Sequence, residues 1–481
     1  GDVYKRQVQA ASTFALQAKL PPDDRSYGYE RGIAVDRQWD ESTTAAAVEF
    51  ADRVLDELWP RYRRRSRKKE GGKGREPLQR FLTQLVETAF RGPLDDEMQR
   101  RYIDDQLAAT DDDAEATKRV LLMSLKSPRF LYPLSDQDPS RSQRAANRLT
   151  LTLYDSLPSD QWLRHQVQQG KLEEEHHVRD AARRMLDDWR VRGKTRQLLY
   201  EWLNLQHIDE ITKDEQHFAG FSPAIVSALR RSFDRLLDDV IWSDKSDFRE
   251  LLLTKEAATT SRLSTYYGGD WAMSDDMKGM QRTIGENRFG VLSHPYLMSG
   301  LAYRDATSPI HRGVFLLRYV LGRTLRPPNE AFTPLSPDLH PGLTTRERVQ
   351  LQTSPESCQV CHLKINGLGF VLENFDAVGR YRTKELDRAI EASGRYTTRT
   401  DEVVKFAGPH VLADFLANSE DAHRSFVNRA FQHFVKQPPA AYGLDTEDKL
   451  LAFFRDHQFN IRKLLVEIAV VVATHDDRKG D

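Results

Sequence analysis

Cysteine is the scarcest residue type in the 481-residue chain, with two copies, and they sit three apart. The segment reads Cys358-Gln359-Val360-Cys361-His362. Two thiols at this spacing reach the two vinyl groups on one edge of a porphyrin. The next residue, His362, is then held under the iron as proximal axial ligand. CxxCH is the pattern of covalent c-type haem attachment. Chance placement would produce it on the order of 0.01% of the time. Two other readings of the thiols fit less well. A structural zinc site takes four ligands, and the chain has no further cysteine to complete one. A thioredoxin-like pair belongs at a strand-to-helix turn, whereas the surrounding pattern is helical.

The flanking residues are read against that chemistry. Leu363 to Phe370 is expected to form a turn-rich apolar loop, one carbonyl of which accepts the Nδ1 proton of His362. Arg380 and Arg382 are candidates for the haem propionates, or else ordinary ion-pair partners of Glu373 or Asp376. For the sixth iron position, no methionine follows Met298, and neither Met nor His lies between His362 and His410. Met298 is therefore the favoured distal ligand by elimination. His294, His311 and His433 are its rivals, and an open position is the remaining option. His176-His177 reads as a solvated helix surface. No GxGxxG, Walker loop, GxSxG or HExxH occurs.

The elements that must position these residues read as helical. Apolar spacing predicts helices at Thr43–Leu58, from Leu78 to Phe90, over 116–126 and through most of 143–242. Ser222-Pro223 opens one of them, with Ile225, Leu229, Phe233, Leu236 and Val240 on one stripe. Thr344 and Glu347 have capping-box spacing ahead of the cysteines. Helices follow at 312–322, 410–417, 421–436, 446–457 and 461–473. Residues 255–300 read as an irregular connector, and the five prolines of 326–342 as an extended run. Arg395 to Val404 is a hairpin candidate. Arg61 to Arg75, with nine basic residues, one acid and three glycines, reads as a solvated linker.

Composition excludes several classes. Lys plus Arg number 71 and Asp plus Glu 72, a net charge of −1, which argues against coating nucleic acid. Mean hydropathy is −0.63. The longest apolar stretch, Leu464 to Ala473, is short of a membrane span and is broken by Glu467. The opening GDVYKRQ runs straight into what reads as the middle of a helix, so the chain is expected to be a fragment lacking its N-terminal part.

Several segments resemble planctomycete-type cytochrome-c-like multidomain proteins. They are TSPIHRGVFLLRYVLGRTLRPP (307–328), LTTRERVQLQT and CQVCHLKINGLGFVLENFDAVGRYR (358–382). TAFRGPLDDEMQRRY (88–102), LKSPRFLY (125–132), MLDDWRVRGKTRQLLYEWLNLQHI (185–208) and FVNRAFQHFVKQPPAAYG (426–443) extend the likeness over roughly 80–475. Two positions depart from it: Gly367 stands where members often have Pro, and Gly92 where Arg is usual. The resemblance implies export to the periplasm, where c-type haem is attached, and names no substrate.

Together these readings predict a mainly α, multidomain helical protein with a small cytochrome-c-like haem domain. The expected divisions are a partial N-terminal segment with basic linker (1–76), a short helical domain (77–135) and a helical domain (136–255). A haem domain (285–395), built around 345–382, and a C-terminal helical domain (400–475) follow. One covalent haem c would serve electron transfer with a redox partner protein. The competing class is a haem-dependent redox enzyme with an open distal site. A third is a binding protein in which the haem is vestigial.

Overall fold

The first described helix, α1 (Arg37–Arg53), begins where the Asp36 carboxylate accepts the Trp39 amide at 2.8 Å, satisfying one of the free N–H groups of its first turn. The computed structural model describes residues 35–69, 74–132, 140–156, 160–205, 208, 210–273, 279–325 and 340–475. They fall into two compact units. One runs to Met185 and includes the residues from Ala469 onward; the other is Leu186–Ile468.

In the first unit, α1 passes through a π-helical turn, Val54–Leu58, into α2 (Trp59–Lys69). The basic run expected as a linker is thus helical as far as Lys69. Its residues 70–73 lie outside the described residues. The cause is aromatic. Trp59 and Tyr62 pack on Phe81 of α3 (Glu76–Phe90), with centroids 5.3 and 5.0 Å away, which ties down the first turns of α2. Arg61, Arg63 and Arg64 stay exposed. The expected stripe of α3 is buried at Leu78, Phe81, Leu82, Val86 and Phe90, against Val120 and Leu121 of α4 (Asp113–Leu125). Between them lie two short helices the periodicity did not predict, Asp96–Gln99 and Asp105–Ala108, joined by a π turn. Arg91 closes α3 in the left-handed region and donates to the carbonyls of Arg129 and Phe130. Helices α5 (Arg141–Tyr154), α6 (Gln161–Gln168) and α7 (Glu175–Met185) complete the unit. Buried Arg148 of α5 binds the carbonyls of Val472 and His475.

The second unit opens with α8 (Trp189–Trp202) and α9 (Pro223–Ile241), whose predicted stripe is buried throughout. The stretch expected to be irregular holds a short antiparallel pair, β1 (Glu256–Thr259) and β2 (Gln281–Ile284). It also holds helices α10 (Ser261–Tyr267) and α11 (Pro295–Gly300). The strands are four residues each and three successive residues of β1 are buried, so no alternation announces them. Helix α12 (Pro309–Phe315) continues as a π turn to Val320. Most of the proline run, 326–339, lies outside the described residues. The capping box at α13 (Thr345–Gln352) forms in both directions, Thr344 N to Glu347 Oε2 at 2.7 Å and Glu347 N to Thr344 Oγ1 at 3.3 Å. The motif occupies α14 (Glu356–Gly369). The expected hairpin is the antiparallel ribbon β3 (Ser393–Thr397) and β4 (Val403–Ala407). Helices α15 (Pro409–Asn418), α16 (Glu420–Val435), α17 (Thr446–Asp456) and α18 (Ile461–Thr474) match the four expected. The core of this unit is aromatic: Trp202, Phe248 and Phe454 surround Phe426 at centroid distances of 5.4, 4.7 and 6.0 Å. Sheet among the described residues is confined to two-stranded ladders, and the protein is mainly α.

Candidate functional site

The motif helix is fixed by glycines. A Cβ on Gly313 of α12 would overlap the Ile365 carbonyl oxygen of α14, and one on Gly369 would overlap the Pro309 carbonyl oxygen. The two helices therefore touch backbone to backbone. On another side, a Cβ on Gly394 of β3 would overlap the Gly367 carbonyl oxygen, and one on Gly367 the Arg395 carbonyl oxygen. Leu363 to Phe370, expected as a loop, is thus helical to Gly369, with a 3-10 turn over Phe370–Leu372. A glycine in a helix interior, such as Gly367, costs about 1 kcal/mol. Burial of Ile365 and Leu368, with the close approaches the glycines permit, offsets that cost. Gly367 has its reason here: only hydrogen fits between α14 and β3.

The helical path changes the partner of His362. Its Nδ1 meets the side-chain Oδ1 of Asn366 at 3.2 Å, one turn on, instead of a loop carbonyl. Asn366 Nδ2 donates to Thr353 Oγ1 at 2.9 Å, and Thr353 Oγ1 donates to the Val349 carbonyl at 2.8 Å. These bonds decide the proton positions. Since Asn366 presents its amide NH2 to Thr353, its oxygen faces the imidazole, and His362 Nδ1 must carry the hydrogen. Nε2 is left with a free lone pair and no hydrogen-bond partner among the described residues. That is the state a metal-ligating imidazole takes. Asn366 and Thr353 were not picked out from sequence; an Asn four residues after the His becomes a signal only once the segment is read as helix.

Both cysteines are free thiols and half-buried on the same helix. Beside them Val360 and Leu363 are 74% and 55% exposed, as is Leu351 of α13 at 52%. Large apolar side chains around a reactive motif, left uncovered, suit a flat apolar ligand. Among the described residues no group of three or more His, Cys, Asp or Glu is placed to hold a metal ion.

Past the motif, the chain is clamped by Arg312 of α12. Fully buried, it donates to the carbonyls of Leu372 and Phe375, both at 2.8 Å, to that of Asp376 at 3.1 Å and to the Glu373 carboxylate at 3.0 Å. Glu373 also accepts from Thr307 at 2.6 Å. Burial pushes the Glu373 carboxyl up, opposed by Arg312 and Arg382.

Next to His362 lies a cavity of about 580 Å³ between α13, α14 and the β3–β4 ribbon. His362, Asn366 and Phe370 line it on the helix side, and Arg395, Lys405 and Phe406 on the ribbon side.

Two protein-family models match parts of the chain. Residues 288–385 match PSCyt3, described as a protein of unknown function (DUF1588), and residues 141–268 match PSD4, described as a protein of unknown function (DUF1592). No curated protein and no solved structure matches the chain. Cys358, Cys361 and His362 fall within the PSCyt3 match, whereas the ribbon that closes the cavity lies beyond its end.

The remaining candidates take separate places. Arg382 pairs with Glu373 at 3.4 Å, the ion-pair alternative raised from sequence. Arg380 lies over the Tyr266 ring, 4.2 Å from its centroid, and donates to the Tyr266 carbonyl. Neither lines the cavity at His362, and neither does Met298, which is fully buried in α11. His294 uses both ring nitrogens, Nδ1 accepting from Tyr296 N and Nε2 on Ser232 Oγ. His433 faces Glu201 Oε2 and the Lys194 carbonyl. His311 is exposed beside Tyr303.

Proposed function

We propose that the protein carries one covalent haem c on Cys358 and Cys361, with His362 as proximal ligand, and serves electron transfer in an exported compartment. The observation that carries this reading is the Thr353–Asn366–His362 relay, which leaves Nε2 as the free nitrogen of an imidazole that shares one helix with two free thiols. The residues present fit the group: a soft-and-imidazole donor set in the right order, uncovered Leu351, Val360 and Leu363 to meet an apolar ring, and no competing metal cluster among the described residues. The label of the matched family, PSCyt3, agrees with a cytochrome. Bound there, the haem would supply one-electron chemistry at iron.

The chain's own part is attachment and orientation. Each thiol adds across a vinyl group, sulfur bonding one carbon and the hydrogen going to the other, so no oxidant is consumed. Asn366 holds the imidazole in one tautomer and one rotation, and the glycine contacts hold the helix. No helix among the described residues is long and apolar enough to cross a membrane.

A second reading, a redox enzyme with an open sixth position, is favoured by one observation. The cavity at His362 is lined by no methionine, no cysteine and no second histidine. Production of the full chain with a signal peptide and haem-maturation machinery tests both. A haem-staining band that survives denaturing electrophoresis is expected, and Cys358→Ala should weaken or abolish it. A colourless folded protein would sink the haem. Carbon monoxide or cyanide binding without displacement of a protein ligand selects the enzyme. Loss of a near-infrared sulfur-to-iron band in Met298→Ala selects the closed electron carrier.

A further inference from the structure

The cavity beside His362 has a one-sided charge. Arg346, Arg395 and Lys405 line it and no Asp or Glu does, in a chain whose overall charge is −1. Arg346 is occupied: it donates to the carbonyls of Glu391 and Ser393, pairs with the exposed Glu391 carboxylate at 3.4 Å and lies over the Phe370 ring. Arg395 and Lys405 are different. Neither side chain has a hydrogen-bond or ion-pair partner among the described residues, and both are exposed. They are directly opposite each other in the β3–β4 register, Arg395 against Lys405. Like charges at opposed positions of an antiparallel pair repel and destabilise the ribbon. A pair kept in that arrangement at a cavity whose lining holds no acid is suited to an anion that neutralises both.

We infer that this cavity is a carboxylate site, and that Arg395 and Lys405 receive the two propionates of the porphyrin. This rests on the haem reading above for the identity of the ligand, though not for the existence of an anion site. Arg380 and Arg382 have partners elsewhere, and Arg346 is held by Glu391 and Ser393, which leaves the ribbon pair for an anion in the cavity. Guanidinium and ammonium divide the work: Arg395 offers a planar fork for one carboxylate and Lys405 a point charge for the other. The His362–Asn366 edge and Phe370 form the wall against which the ring carrying those carboxylates would rest.

The test uses the full chain made without maturation machinery and two probes that cannot be linked covalently because they lack vinyl groups. Iron mesoporphyrin keeps both propionates; its dimethyl ester has none. Optical titration should show mesoporphyrin binding at least tenfold more tightly than the ester. In the double variant Arg395→Gln/Lys405→Gln that preference should vanish, through loss of mesoporphyrin affinity with the ester unchanged. The same variant, unloaded, should melt at the wild-type temperature or above it, since a repulsion has been removed; a purely structural pair would give a lower temperature. A preference that persists in the variant overturns the assignment. If neither porphyrin binds, the haem reading fails, and succinate decides what remains. Saturable stabilisation by succinate in the wild type alone would keep the anion site and overturn the porphyrin as its occupant. Indifference of both proteins to succinate would overturn the site itself.

Discussion

At the scale of single residues, the side chains that set proton positions matter more than those that carry charge. His362 depends on Asn366. Replacing it by Leu leaves Nδ1–H without an acceptor, and the non-covalent affinity for iron mesoporphyrin should fall about 10-fold or more, the usual loss when the partner of a ligating imidazole is removed. Asn366→Asp should restore binding and lower the iron potential, because a carboxylate makes the imidazole a stronger donor. A variant series with equal affinities would remove the relay from the argument. His294 offers a separate measurement. Burial, reinforced by the positive Arg288, holds its pKa down at about 3, against an ordinary value of 6.5. The unfolded chain therefore takes up a proton between pH 6.5 and 3 that the folded chain refuses. Stability is present above that window and is lost as pH falls through it, at up to ~1.4 kcal/mol per pH unit. Urea midpoints from pH 7 to 4.5 should fall less steeply in His294→Asn, which keeps a helix cap, and the difference between the two curves should approach one proton. Of these residues, sequence singled out Cys358, Cys361 and His362, because the reading made of them rests on a fixed spacing. Asn366, Thr353 and the cross-strand pair Arg395 and Lys405 have ordinary types, and only the fold brings them to His362 and its cavity.

Among the elements, the long helices were legible because a buried stripe of apolar residues leaves a period in the sequence. The stripe from Ile225 to Val240 and the capping box at Thr344 are examples. What was not legible had its cause in tertiary contact. Trp59 and Tyr62 hold a helix into the basic run, and glycines that read as a loop in Leu363–Phe370 are helix–helix contact points. Gly369→Ala tests the latter. In an open helix the change would stabilise by about 1 kcal/mol. Here the new Cβ must displace the Pro309 carbonyl, so a net loss of about 1–3 kcal/mol is expected in chemical denaturation, as for an overpacked core. Arg312→Met tests the clamp behind the motif. It leaves Glu373 buried against Thr307 and Arg382 alone, and should cost about 3–5 kcal/mol. Adding Glu373→Gln should recover a large part of it, whereas no recovery would show that the carbonyl bonds of Arg312, not its charge, hold the segment.

On the scale of the whole molecule, Leu186–Ile468 contains the motif, the cavity and the clamp, and the other unit contains none of them. Haem loading should therefore be felt unequally. Calorimetry of the loaded and unloaded chain should resolve two transitions, of which the one belonging to Leu186–Ile468 moves up with haem and the other stays, since a ligand stabilises the part whose native state binds it. Equal movement of both would mean that the units unfold as one. The contact between Gly367 and Gly394 has a further consequence for such a molecule. With no side chain between them, the joint has no rotamer to change. Helix and ribbon are expected to move together, so that, if the proposed haem is present, His362 and the backbone of Arg395 and Lys405 would keep their separation through both oxidation states. In an electron carrier built this way the nuclear rearrangement that accompanies each transfer is small, and the rate of exchange is left to distance and driving force.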